Sequence, residues 1–332
     1  MKHCGITTTN QMFLTHAAAK DLKSWTYLGD FLKHELPDVI LGEDISCPNF
    51  FPIGDKWMLL CISHPLGCRY YLGDWDPQAE QFVPQTHERM NWRREDQGLD
   101  DVWRDFFAPE SVLTPDGRRV MWAWLATVND QLRQKTIQSL PRELNLGDDG
   151  TLRINPLREL KWLRHKKTDL RDLTVTFVPR NNGGTATKPI ALLSDDALEI
   201  RIIVERKEAE HKRFGFQLFA DQTHDGLPII IKPETGTIRV GKTEAPFAVA
   251  DLAPGEDIEL RIFIDKYLVE VFANGRQALL SAYMDWQAAH GFAAYTFGAA
   301  TTIKQVDIWQ LKPANQGFFE AQKNRIWEPE TE

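Results

Sequence analysis

The sequence predicts an all-β protein in two parts: a propeller-like first half, then a β-sandwich. Three observations carry this. Short apolar runs recur through the first half, joined in pairs by turn signals. From about residue 170 the runs alternate more cleanly between apolar and polar positions, as strands with one buried face do. No strong helical period intervenes, apart from a short possibility at "NPLRELKWLRHK".

The first strand pair is "KWMLLCISH" and "CRYYLGDWD", joined by "PLG". The second is "FFAPESVLTPDGRRVMWAWL", where "TPDG" turns between strands expected over 106–113 and 119–125. The third is "SLPRELNLGDDGTLRINPLREL", with "GDDG" as its turn. Three units of similar spacing suggest propeller blades. The sandwich strands are read from "LTVTFV", "ALEIRIIVER", "FGFQLFA", "LPIIIK", "TIRVGK", "IELRIFID", "LVEVFAN" and "TIKQVDIWQL", with turns such as "ANGR" and "APGED". A charged, locally irregular stretch at 161–169 marks the boundary. The expected division is a propeller over 1–165, N-terminally incomplete, an independently folding sandwich over 170–312, and a polar tail over 313–332.

Composition narrows the function. The apolar share is 42% and the charged share 26%, the balance of an ordinary water-facing protein. A net charge of -8 without a basic stripe argues against a nucleic-acid partner. No apolar run reaches membrane-spanning length, and the opening "MKHCGITTTNQMF" lacks a leader's layout, so a cytoplasmic location is the default expectation and no membrane partner is expected. A secreted protein stays open if the natural N-terminus lies elsewhere. No cofactor is expected, because there is no phosphate-binding glycine loop. No metal is expected, because the four cysteines lack zinc spacing. Cys47 and Cys61 read as buried free thiols. Eleven Trp and 18 Phe suit either a rich core or sugar stacking.

At this point the motifs resemble glycoside hydrolase family 32, the invertase, levanase and inulinase group. "SCPNFFPIGDKWMLL" is similar to the family's E-C-P block, W-E-C-P-D-x-F-P-L. "FFAPES" with "DGRRVMWAWL" is similar to its Y-A-P-Q-[ST] and G-R-R blocks, and "QSLPREL" to the next motif. "ELRIFIDKYLVEVFANGRQ" and "TIKQVDIWQL" are similar to its C-terminal sandwich. The motifs occur in the family's order from about residue 13 to 311. The resemblance implies a five-bladed β-propeller followed by a β-sandwich, and hydrolysis of β-fructosides with retention. The partner it implies is a carbohydrate.

Retention needs two carboxyl groups about 5 Å apart, a nucleophile and an acid/base. The family's nucleophile motif W-x-N-D-P-N-G and its R-D-P motif are not found. "MFLTHAAAKDLKSWTYLGDF" resembles the segment just after R-D-P. "GDWDP" at 73–77 reads as a hairpin turn instead. Ser46 stands where the family has the acid/base Glu, and a Ser hydroxyl is no general acid near neutral pH. Asp44, two residues earlier, shares its strand face, so it is a candidate acid, whereas Glu43 points the other way. Glu110 of "APES", where the family usually has Gln, is the second candidate. Trp122 and Trp124 share one strand face while Met121 and Ala123 share the other; sugar stacking and core packing are both open for the two indoles. Ser46, His64 and Arg69 complete the candidate substrate contacts, His64 and Arg69 as hydrogen-bond donors flanking the first hairpin turn. Arg142 and Asp105 suit ion pairs, but the sequence does not pair them. Two other readings stand beside hydrolysis of fructosides: a catalytically silent carbohydrate-binding protein, and an enzyme acting on another furanoside.

Overall fold

The structure, a computed structural model, describes residues 3–8, 14–19, 21, 23–33, 45–63, 67–92, 106–125, 137–180 and 185–314. Among these the first sheet has three antiparallel strands in sequence order, β1 (His3–Thr8), β2 (Leu14–Ala19) and β3 (Thr26–Asp30). Next comes a four-stranded meander of β4 (Ser46–Ile53), β5 (Lys56–Ser63), β6 (Gly67–Asp76) and β7 (Gln81–Arg89). The Asp76 carboxylate accepts from the amides of Gln78 and Ala79, so the β6–β7 turn is closed by the Asp of "GDWDP". Gly73 sits at a bulge in β6, where an added Cβ would lie 2.1 Å from the Val83 carbonyl oxygen. Only glycine allows that approach.

The second blade contains β8 (Phe107–Leu113), β9 (Arg119–Leu125), β10 (Ile137–Gln138), β11 (Arg142–Leu146) and β12 (Leu152–Pro156). β9 pairs with β8 along one edge and with β10 and β11, end to end, along the other; β12 follows β11. The second and third strand–turn–strand units are therefore halves of one sheet, not separate blades. The correction has a local cause: the third unit's first strand has the open edge of β9 within reach, and pairing there satisfies both sets of backbone groups.

Two six-stranded sheets form the sandwich from β13 (Arg164–Val175), β14 (Lys188–Leu192), β15 (Ala197–Val204), β16 (Phe214–Ala220), β17 (Leu227–Lys232), β18 (Thr237–Val240), β19 (Thr243–Pro246), β20 (Ile258–Asp265), β21 (Leu268–Ala273), β22 (Gln277–Ala282), β23 (Gly291–Thr296) and β24 (Thr301–Leu311). Their orders are β13-β24-β15-β20-β21-β22 and β14-β23-β16-β17-β18-β19. Ile200, Ile202, Phe216, Ile229, Ile231, Val269 and Phe292 are fully buried between them. Each such side chain contributes about 1.5–3 kcal/mol of burial. The stretch 161–169 is not irregular. A 3-10 turn over Arg158–Leu163 leads directly into β13, which pairs with β24.

Blade and sandwich share a core. Met90, Phe106 and Met121 pack in one apolar cluster with Phe263, Phe272 and Leu280. The "ANGR" turn is a backbone contact as well: Asn274 and Gly275 are left-handed (φ 47° and 61°), and the Ile154 amide donates to the Gly275 carbonyl at 2.6 Å. A Cβ on Gly275 would meet the Asn155 side chain at 2.6 Å. Among the described residues no helix is long and apolar enough to cross a membrane. The tail beyond residue 314 lies outside the described residues.

Candidate active site

Two inner strands begin in the same way. On β4, Ser46 faces Ile62 and Asn49 faces Leu60, so three residues advance against two. On β8, Phe107 faces Trp124 and Glu110 faces Trp122, again three against two. Each bulge holds a non-glycine residue at positive φ just before a proline: Cys47 (φ 49°) before Pro48, and Ala108 (φ 41°) before Pro109. A proline disfavours the right-handed helical region for the residue before it, and strained backbone of this kind concentrates where side chains must be re-aimed. The two bulges put Asn49 and Glu110 at matching positions of their strands.

Asn49 ties the strands together. Its side-chain amide donates to the Pro109 carbonyl at 3.1 Å and to the Cys47 carbonyl at 3.3 Å. Its Oδ1 accepts from the Ser111 amide at 2.9 Å and from Ser111 Oγ at 3.0 Å. Ser46 is partly buried just upstream. Cys47 is exposed, which corrects the expectation of burial: the bulge turns its side chain out of the apolar run, while Cys61 and Cys68 stay buried. Partial desolvation pushes the Cys47 thiol up, and the Glu110 carboxylate adds to the shift. Cys47 and Glu110 are thus electrostatic neighbours although 63 positions apart.

Glu110 is exposed and lies directly across from Trp122. The alternation on β9 follows the sequence pattern: Met121 and Ala123 are buried, Trp122 is half-buried and Trp124 is 40% exposed. Trp124 has Phe107 on one side and Gln138 on the other. Several other aromatics belong to the core instead. Trp57 stacks on Phe50 with ring centroids 4.7 Å apart, and Trp75 packs beside Phe31 and Phe50.

The remaining candidates divide. Arg69 is fully buried, with its guanidinium 5.3 Å from the Tyr71 ring centroid. It is not the exposed donor beside the hairpin turn that was expected, because strand alternation turns it into the sheet stack. Arg142 pairs with Glu270 of the sandwich at 2.8 Å. Asp44, Glu43, His64 and Asp105 lie outside the described residues. Sequence reasoning missed Asn49 as the inter-strand tie. The signal was present in the parallel "SCPN" and "FAPE", each with a proline after the bulged residue.

Chemically, the described residues place one carboxyl, Glu110, beside an indole face, a hydroxyl and a thiol. Such a set can hold a polyhydroxylated ring and offer one proton. A retaining hydrolysis needs a second carboxyl about 5 Å away.

Comparison with known proteins gives the family. Residues 4–156 match the Glycosyl hydrolases family 32 N-terminal domain, and residues 159–310 match the Glycosyl hydrolases family 32 C terminal domain. The chain is 26% identical over 301 residues to a raffinose invertase of Escherichia coli, covering 80% of this chain and 57% of the relative. It is 25% identical over 339 residues to a levanase of Bacillus subtilis, covering 89% and 46%. The exo-inulinase structure from Aspergillus awamori superposes with a TM-score of 0.70 at 17% identity, over 94% of this chain and 65% of that one. The chain thus spans between 46% and 57% of these two curated relatives. The fold is that of the family's β-propeller followed by a β-sandwich. Together the two domain matches span nearly the whole chain, and it belongs to glycoside hydrolase family 32.

Proposed function

We propose that this chain binds β-fructosides of the sucrose, levan or inulin type and serves their hydrolysis with retention. Residues 1–165 form the propeller part that carries the site, and 170–312 the sandwich. One observation carries the reading: matched bulges bring Glu110 and Trp122 beside Ser46, Cys47 and Asn49, at the family's motif positions. In this reading Trp122 and Trp124 stack the sugar, Ser46 contacts its hydroxyls, and Asp44 and Glu110 are the acids. The names of the invertase and levanase relatives support the substrate class.

The test is fructose release from sucrose, levan and inulin. One carboxyl acting as general acid is worth about 10²–10⁴-fold, far below a complete glycosidase. The 332 residues alone are expected to bind weakly and turn over poorly. Joined to a segment carrying W-x-N-D-P-N-G and R-D-P, they are expected to release fructose, and Asp44→Asn is expected to slow substrates with poor leaving groups. Robust turnover by the 332 residues alone would overturn the division of labour. A second reading, binding without turnover, is favoured by Ser46 at the acid/base position. Binding with no fructose release even from the joined chain would select it.

A further inference from the structure

A cavity of about 690 Å³ opens between the second blade and the sandwich, away from the Asn49 tie. The blade contributes the break between β10 and β11, Gln138 to Leu140; the sandwich contributes the entry to β15, the β20–β21 turn and the end of β24. Its lining is amphipathic. Leu140, Phe263, Leu268 and Leu311 supply apolar surface.

The polar groups around it are available. Glu270 is already engaged, by Arg142 at 2.8 Å and by the Leu140 amide at 2.7 Å. Ser139 Oγ is used by the Ala123 amide and the Leu140 carbonyl. By contrast, among the described residues the side chains of Gln138, Asp265 and Lys312 have no hydrogen-bond partner, and the Nδ1 of His165 is buried without one. A buried polar nitrogen without a partner carries a free-energy cost that a ligand or water would relieve. Charge decides the ligand class. Asp195, Asp196 and Asp265 face Lys266 and Lys312, a near balance that favours neither a strong anion nor a strong cation. Apolar walls with scattered, unpaired donors and acceptors suit sugar rings, and the volume lies within the range of about 300–1,000 Å³ usual for small-molecule sites.

We propose that this interdomain cavity is a second saccharide-binding site, taking a neutral oligosaccharide through Gln138, His165, Asp265 and Lys312. Gln138 is the cross-strand neighbour of Trp124, so the cavity adjoins the open aromatic face of the blade. The cavity holds a saccharide without catalysing anything, and it stands whether or not the Glu110 face is catalytic.

The experiment is isothermal titration of an inulin-type fructotetraose into the full chain. A Glu110→Gln/Trp122→Ala double variant removes the first face and is expected to keep binding. Adding Ala197→Trp, which fills the cavity, is expected to abolish that binding. Adding Asp265→Asn instead, which preserves its shape, is expected to weaken it about tenfold. Loss of all binding in the double variant overturns the cavity while leaving the first face intact. Binding that survives both cavity variants also overturns it. Equal affinity for a phosphorylated saccharide overturns the neutral ligand class.

Discussion

Arg142 Nη2 lies 2.8 Å from Glu270 Oε2, a fully buried guanidinium of the blade paired with a buried carboxylate of the sandwich. The same guanidinium donates to the Met90 carbonyl at 3.2 Å and lies 4.2 Å from the Phe106 ring centroid. Glu270 uses its other oxygen to accept the Leu140 amide. The pair therefore fixes the backbone of "SLPREL" from across the junction.

Removing one partner leaves the other charge buried and uncompensated. Glu270→Ala is expected to cost about 3–5 kcal/mol, and Glu270→Gln less, because it keeps an acceptor for Leu140. Urea unfolding followed by tryptophan fluorescence and far-UV circular dichroism reads the shift. The shared core also predicts a single transition by both probes. An early, separate unfolding of the sandwich would contradict this.

The nearness of Cys47 to Glu110 can be read by alkylation. Desolvation and the Glu110 carboxylate hold the Cys47 thiol above its ordinary value, so thiolate is scarce at neutral pH. Glu110→Gln removes the negative charge, lowers the thiol, and is expected to speed labelling of the Cys47 peptide at pH 8. Mass spectrometry of that peptide checks it. An unchanged rate would place the two side chains too far apart to interact.

Asn49 makes four contacts that no other residue duplicates at this point. Asn49→Ala strands the Ser111 amide and the Pro109 carbonyl at a partly buried site. The expected loss is about 1–3 kcal/mol, with a lower Tm. Weaker fructoside binding should accompany it, since the Glu110 bulge then lacks its tie. A variant with the wild-type Tm would remove Asn49 from the account.

Asp149 links the β11–β12 turn to the sandwich. Arg153 at 2.7 Å, Thr151 and Arg276 at 2.9 Å hold its carboxyl well below the usual range, the Arg153 hydrogen bond foremost. A folded-state value below the unfolded one stabilises the fold above about pH 3.9, and that contribution is lost as pH falls through the folded value. Arg276→Met should therefore cost stability at pH 7, and the gap to wild type should close below about pH 3.9. A gap unchanged down to pH 2 would mean that Arg276 acts by packing alone.

The sequence by itself determined the all-β class, the family, and most of the strands. Alternation on β9 correctly sorted Met121 and Ala123 from Trp122 and Trp124, and "TPDG", "GDDG" and "ANGR" marked real turns, because these signals depend on a few adjacent residues. It did not show β14, β19, β22 or β23, whose segments are short or alanine-rich and become strands by pairing with β23, β18, β21 and β16. Nor did it show that two strand–turn–strand units join into one blade, or that Arg69 is buried. Only the tertiary structure decided the neighbours at the site: Asn49 with Ser111, Cys47 with Glu110, and Arg142 with Glu270. Each pair is 60 or more positions apart in the chain. Local residue patterns carry propensity and facing, whereas which faces meet depends on strand register and on two bulges whose effect is felt across sheets.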